Sequence, residues 1–237
     1  MSRRSCSRLF AFCLSAAFAV CGLLAAALLA ATPAAAAQER VALVIGNAAY
    51  KHAGALQNPV NDANDMAAAF NELGITVILG LDLDKAGFDS KVREFSRAVL
   101  GADVAILFYA GHGLQVGLRN YLVPTDARLQ SERDLDFEAV ALDLIMEQME
   151  IEREGKTNIL FLDACRDNPL ARGLARTMGT RSASVGRGLA EVQAGAGTFV
   201  AYATKPGAVA LDGEGRNSPL RARSPSTSRC PGAASPA

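Results

Sequence analysis

Runs of consecutive aliphatic and β-branched residues constrain this chain more than any other feature. They fall in Val41 to Ile45, Ile75 to Leu79, Val104 to Tyr109 and Asn158 to Leu162, with a further candidate at Thr198 to Ala203. A strand with one wet face alternates polar and apolar residues, whereas these runs are apolar on both faces and must be covered on both. Helical patterns separate them, so each crossover returns the chain to the starting edge of the sheet. The expectation is an α/β fold, a three-layer α/β/α sandwich with a mostly parallel sheet.

The intervening patterns support that layering. Asn58 and Pro59 suit a helix cap and first turn, and Val60, Ala63, Met66, Ala67, Phe70 and Leu73 follow at helical spacing until Gly74. Phe88, Val92, Phe95 and Val99 mark a second helix closed by Gly101. Leu114 to Val116 and Tyr121 to Val123 form a hairpin around Gly117-Leu118-Arg119-Asn120. Phe137, Val140, Leu144 and Ile145 predict one long helix ending near Gly155. Residues 166–197, rich in Arg, Gly and Ser, show no period of a packed element and read as a flexible linker.

Residues 1–37 stand apart. Arg3, Arg4 and Arg8 precede an apolar stretch from Leu9 to about Ala31, and Ala35-Ala36-Ala37 resembles a signal-peptidase site. The segment is expected to be an export signal, placing the protein in the periplasm or outside the cell; left uncleaved, it is long enough to anchor in a membrane. Its removal takes three arginines and no acid, turning 24 basic against 24 acidic residues into 21 against 24. That balance gives no electrostatic footprint for nucleic acid. Cys6, Cys13 and Cys21 leave with it, so only Cys165 and Cys230 remain, too few for a disulfide framework. With His52 and His112 the only histidines and no close His/Cys ligand spacing, neither a metal nor any other cofactor is expected.

Two strand patterns end in reactive side chains: Tyr109-Ala110-Gly111-His112-Gly113 and Asp163-Ala164-Cys165-Arg166-Asp167. Open parallel sheets bind ligands at the carboxyl ends of their strands, so an imidazole and a thiol on neighbouring ends can meet. A lone Cys or His is usually structural; the pairing is what makes these two candidates. Amide hydrolysis needs a nucleophile, a proton donor for the departing amine and dipoles for the oxyanion. Cys165 supplies the first as a thiolate, His112 the second, and the backbone amides of Gly113 and Cys165 the third. Asp163, two residues before Cys165, falls on the same strand face. It either receives an Arg or Lys of a peptide substrate or caps a loop.

These motifs resemble the caspase-like clan of cysteine peptidases, in particular bacterial caspase-domain proteins and metacaspases. The caspase signature has Gln-Ala-Cys followed by Arg, Gln or Gly and then Gly, with a histidine about 50 residues upstream. This chain has Ala164-Cys165-Arg166 and His112, with Asp163 and Asp167 in place of the outer residues. Val41-Ala42-Leu43-Val44-Ile45-Gly46-Asn47 and Asn58-Pro59-Val60-Asn61-Asp62-Ala63 also resemble the opening strand and helix of that family. The resemblance covers about residues 40–220, which defines a catalytic domain over 38–220. It implies a cysteine endopeptidase acting on peptide or protein substrates, with Asp163 selecting Arg or Lys as metacaspases do at the matching position. It further implies processing between the large and small portions of the unit, where Arg166, Arg172, Arg176, Arg181 and Arg187 offer sites for self-cleavage. A solvated loop is the plainer reading of that stretch. Asn47, Asn61 and Asp62 are read as turn and cap residues.

Beyond Leu220, where such proteins continue into a helix and a last strand, residues 221–237 lack an apolar period and resemble an aberrant tail. An apparent C-terminal truncation makes a catalytically impaired remnant, acting as a binding module, the alternative to an active enzyme. A nucleotide-binding module is disfavoured, because Gly46-Asn47-Ala48-Ala49-Tyr50-Lys51 fits neither phosphate-binding glycine motif.

Overall fold

The computed structural model describes residues 38–164, 169–178, 185–186 and 189–203. Residues 1–37, where an export signal is expected, Cys165, Arg166, Arg181, Arg187 and the tail with its expected truncation lie outside the described residues. The chain divides into two units, Met1–Ala37 and Gln38–Ala237, and the second contains everything that follows.

Five parallel strands form the main sheet: β1 (Arg40–Gly46), β2 (Thr76–Leu81), β3 (Val104–Ala110), β7 (Thr157–Asp163) and β9 (Thr198–Tyr202), in the order β2-β1-β3-β7-β9. Alternate residues of each strand enter two different cores, as the side-chain period of two requires. Ala42, Val44, Ile106, Phe108 and Ala110 pack with Ala63, Met66, Ala67 and Phe70 of helix α1 (Pro59–Glu72). Leu43, Ile45, Leu107, Tyr109, Leu160 and Leu162 pack on the opposite face with Phe88, Val92, Phe95 and Val99 of α2 (Lys85–Val99) and with Ile145 and Met149 of α4 (Leu142–Glu150). The three-layer α/β/α sandwich with a parallel sheet is therefore present.

A small antiparallel sheet sits beside it, β6-β5-β4-β8, built from β4 (Gly113–Val116), β5 (Arg119–Leu122), β6 (Val140–Ala141) and β8 (Val185–Gly186). The expected hairpin is its centre, with a shorter turn. Val116 pairs with Arg119, leaving only Gly117 and Leu118 between the strands, and Gly117 has φ +62°. A two-residue loop needs a positive φ to match strand twist, and glycine adopts it without strain.

Three expectations need correction. The single helix through Phe137, Val140, Leu144 and Ile145 is interrupted: a 3-10 turn at Glu132–Asp134 leads into the short α3 (Leu135–Glu138), and Val140–Ala141 is strand. Phe137 is 77% and Leu144 47% exposed. Val140 pairs with Leu122 and Ala141 with Tyr121, so sheet hydrogen bonds at a β-branched residue overrode the helical spacing. Second, the stretch read as aperiodic contains α5 (Pro169–Met178), which buries Leu170, Ala171 and Leu174 against the hairpin residues Leu114 and Val116. Third, Asn58 is buried with its backbone already helical, and its side chain makes no capping bond. Pro59 alone performs the predicted role, occupying a first-turn position whose N–H would lack a helical partner. In α2 the cap does form, Asp84 Oδ1 accepting the Gly87 N–H at 2.8 Å.

At the amino edge of the sheet, buried Arg153 ties three segments together. Its Nη1 donates to the Met149 carbonyl (2.6 Å) and to Asn158 Oδ1, and its Nη2 to the Ala102 carbonyl (3.2 Å). Burial lowers its pKa and nearby Asp103 opposes that shift. Replacing Arg153 with Ala strands these acceptors away from water, and urea unfolding should register a loss of about 3 kcal/mol; a change within experimental error would show the cluster to be dispensable.

Candidate active site

At the carboxyl edge β1, β3 and β7 finish level. Gly46 is in register with Ala110, and Ala110 with Asp163. The ladder continues one step past the strands: Asn47 N–H donates to the Ala110 carbonyl (2.9 Å) and Gly111 N–H to the Asp163 carbonyl (3.2 Å). The strand order reverses direction between β1 and β3, because the first crossover runs to β2 and later ones run the other way. Open sheets form a crevice at such a point, and His112 follows β3 directly there.

His112 is 2% exposed and held from four directions. Its N–H donates to Tyr50 Oη at 2.7 Å. Its carbonyl accepts from Tyr109 Oη at 2.7 Å and from Val123 N–H at 3.0 Å. Its ring lies 4.4 Å from the Tyr50 ring, centroid to centroid. Finally, Nε2 lies 2.8 Å from the Gly54 carbonyl oxygen. A carbonyl oxygen only accepts, so Nε2 carries the proton and Nδ1 is the basic nitrogen of the neutral ring. The ring thus has an orienting partner of its own, an arrangement that suits a general acid or base.

Sequence reasoning missed Tyr50, Tyr109 and Gly54. Tyr109 was readable only as a core residue, and a main-chain carbonyl leaves no mark in the sequence. The structure gives a steric reason for Gly111. Its φ is +157°, and a Cβ there would lie 2.6 Å from Tyr50 Oη and 2.8 Å from Tyr109 Oη. Gly113 has no positive φ; it is a strand residue whose added Cβ would meet the Ala164 Cβ, the Ala164 carbonyl and Leu189 Cδ2, each at 3.0 Å. The histidine loop is therefore packed directly on Ala164, the fully buried residue bonded to Cys165.

The loop after β1 is clasped by polar groups. Asn47, fully buried, accepts the Leu83 N–H at 2.9 Å and donates to the Val123 carbonyl at 3.2 Å. Asp82, at φ +48°, accepts the Ala48 and Ala49 N–H groups at 2.7 and 2.9 Å. Turn chemistry is thus what Asn47 does. Asp163 is fully buried. It alternates with Leu162 and Leu160 and so shares the α1 side of the sheet with Ile159 and Phe161. Asp62, in the first turn of α1, is also fully buried; reading it as a cap residue missed that it is an interior acid. The first turn of α1 abuts the end of β1, since a Cβ on Gly46 would lie 2.4 Å from the Pro59 carbonyl oxygen. Two buried carboxyl groups thus belong to the α1 side of the carboxyl edge. His112, Gly113 and Asp163 are brought to one edge, and Cys165 lies outside the described residues.

A family model described as a caspase domain matches residues 39–221. The human mucosa-associated lymphoid tissue lymphoma translocation protein 1 and its mouse homologue are each 31% identical over 132 residues, covering 55% of this chain. The match spans 15% of the length of either relative. A solved structure, protein GSU0716 from Geobacter sulfurreducens, is 24% identical with a TM-score of 0.42, over 54% of this chain and 51% of that one.

Tyr50→Phe leaves the buried His112 N–H without its acceptor and should lower stability by about 1–3 kcal/mol. Gly111→Ala drives a methyl group into both phenol oxygens and should cost at least as much, about 1–3 kcal/mol from overpacking alone. Thermal or urea unfolding of the two variants checks both; unchanged midpoints would mean that the clamp contributes nothing.

Proposed function

Since the chain belongs to the caspase-domain family, we propose that it is a cysteine endopeptidase that hydrolyses peptide bonds after Arg or Lys with Cys165 and His112. One observation carries this reading: the level ends of β3 and β7, which seat the His112–Gly113 loop against Ala164, the neighbour of Cys165.

The chemistry follows from the groups named. The Cys165 thiolate adds to the carbonyl carbon of the scissile bond, and the Gly113 and Cys165 amides receive the oxyanion. The imidazolium of His112 gives its Nδ1 proton to the departing amine while Nε2–H stays on the Gly54 carbonyl. Water, deprotonated at the same nitrogen, then attacks the thioester carbon, the C–S bond breaks, the acid half of the peptide leaves and the thiolate–imidazolium pair is restored. Asp163 supplies a carboxylate for the basic side chain before the scissile bond, and a cation entering a low-dielectric site recovers its desolvation cost only against such an opposite charge. Asp62 adds a second buried acid on that side.

Cys165→Ala and His112→Ala should each lower kcat/KM for a fluorogenic Arg or Lys peptide by about a thousandfold or more. Asp163→Asn should raise KM for basic peptides with less effect on neutral ones. A peptide panel measures all three, and cleavage confined to bonds after Asp would sink the specificity.

Self-cleavage belongs to the same reading. Arg172 and Arg176 are exposed on α5, where helical hydrogen bonds hold the backbone away from the extended form a peptidase cleft engages. Cuts are therefore expected after Arg166, Arg181 or Arg187. Intact-mass analysis should find fragments with wild type and a single full-length species with Cys165→Ala; identical spectra would remove the processing step.

A further inference from the structure

Next to the histidine clamp lies a hollow of about 390 Å³ lined by His52, Arg128, Leu129, Gln130 and Leu170. Its volume is that of sites that take a small ligand or a side chain. Arg128 Nε donates to His52 Nε2 at 2.8 Å. An accepting ring nitrogen carries no proton, so His52 is neutral in this contact and Arg128 is the cation of the pair. That bond orients the guanidinium from one edge, and no ion pair among the described residues takes its terminal amino groups. Glu138 accepts the backbone N–H of Arg128, at 3.2 Å, rather than the guanidinium. Among the described residues, the lining contains no carboxylate.

Leu129 and Leu170 are buried and form the apolar part of the wall. An oriented guanidinium above an apolar wall suits a carboxylate on a short methylene stem, because planar donors match both oxygens while the stem covers the leucines. The location ties the hollow to the site already described. His52 is two residues from Gly54, whose carbonyl holds the His112 ring, and Leu170 lies at the start of α5, downstream of Ala164.

We propose that this hollow is a subsite for an acidic side chain, Glu or Asp, of the peptide bound at His112. The proposal rests on the peptidase reading for the identity of the ligand. It gives the cleft a second charge requirement, opposite in sign to that of Asp163: a basic residue before the scissile bond and an acid a few positions away. Because the hollow is open to solvent, its selectivity weakens as salt is raised.

The test uses short fluorescein-labelled peptides with one Arg and with either Glu or its uncharged isostere Gln walked through the flanking positions. Fluorescence polarisation is measured with the full chain carrying Cys165→Ala, so that binding is read without cleavage. At one position Glu should bind about tenfold more tightly than Gln. Adding Arg128→Gln should bring that ratio to about one, and Arg128→Glu should invert it. A ratio near one at every position, a ratio that survives Arg128→Gln, or no measurable binding by any peptide overturns the proposal. Cleavage of the same peptides by the chain with Cys165 intact is scored separately. Failure to cut with the Glu preference preserved removes the peptidase reading and leaves the subsite standing.

Discussion

Both faces of β3 are covered, and from that constraint the rest of the molecule follows. From Ala105 to Ala110 every residue of the strand is buried, odd positions against α2 and α4, even positions against α1. A strand so placed cannot slip by one residue without moving Leu107 and Tyr109 into the core that holds Phe108 and Ala110. Parallel ladders to β1 and β7 then set the height at which all three strands end. The chemistry at their tips inherits its alignment from core packing rather than from the loops that carry it.

The second layer of control is polar. A histidine on a loop would be free to turn; here both main-chain groups of His112 and one ring nitrogen are bonded, and two of those partners are tyrosines from separate parts of the chain. Tyr109 belongs to the strand and Tyr50 to the loop after β1, and their hydroxyls lie 3.4 Å apart. The clamp therefore couples the first crossover to the third strand. It also explains why a glycine precedes the histidine, since the space that a side chain would need is taken by those two oxygens. Buried polar groups satisfied in this way confer orientation at little net cost, whereas one left unpaired is expensive.

Charge is arranged on two sides of this clamp. Buried Asp163 and Asp62 belong to the α1 side, and the Arg128–His52 pair belongs to the hollow beside the loop. The loop after β1 is common to both: it leads into α1, carries His52 and supplies the carbonyl that orients His112. The two sets of groups are opposite in sign, which is the kind of pattern by which the proposed peptide cleft would discriminate among sequences.

The strands, their parallel pairing and the three layers were legible in the residues, because apolar runs are local properties of a sequence; the strand-end motifs also put His112, Gly113 and Asp163 where the structure finds them, at one edge of the sheet. What misled was also local. Phe137, Val140, Leu144 and Ile145 have helical spacing, yet Val140 bonds to Leu122, a partner distant in sequence; Leu170, Ala171 and Leu174 looked aperiodic until the hairpin gave them a surface to cover. Only tertiary structure decided that Tyr50, Tyr109 and the Gly54 carbonyl hold the histidine, that Asp62 is interior, and that Arg128 meets His52. Most of those contacts join residues far apart in the chain, and several, like that of Tyr109 three residues before His112, run through main-chain atoms that every residue shares, so no side-chain pattern encodes them until the sheet has set the strand ends side by side.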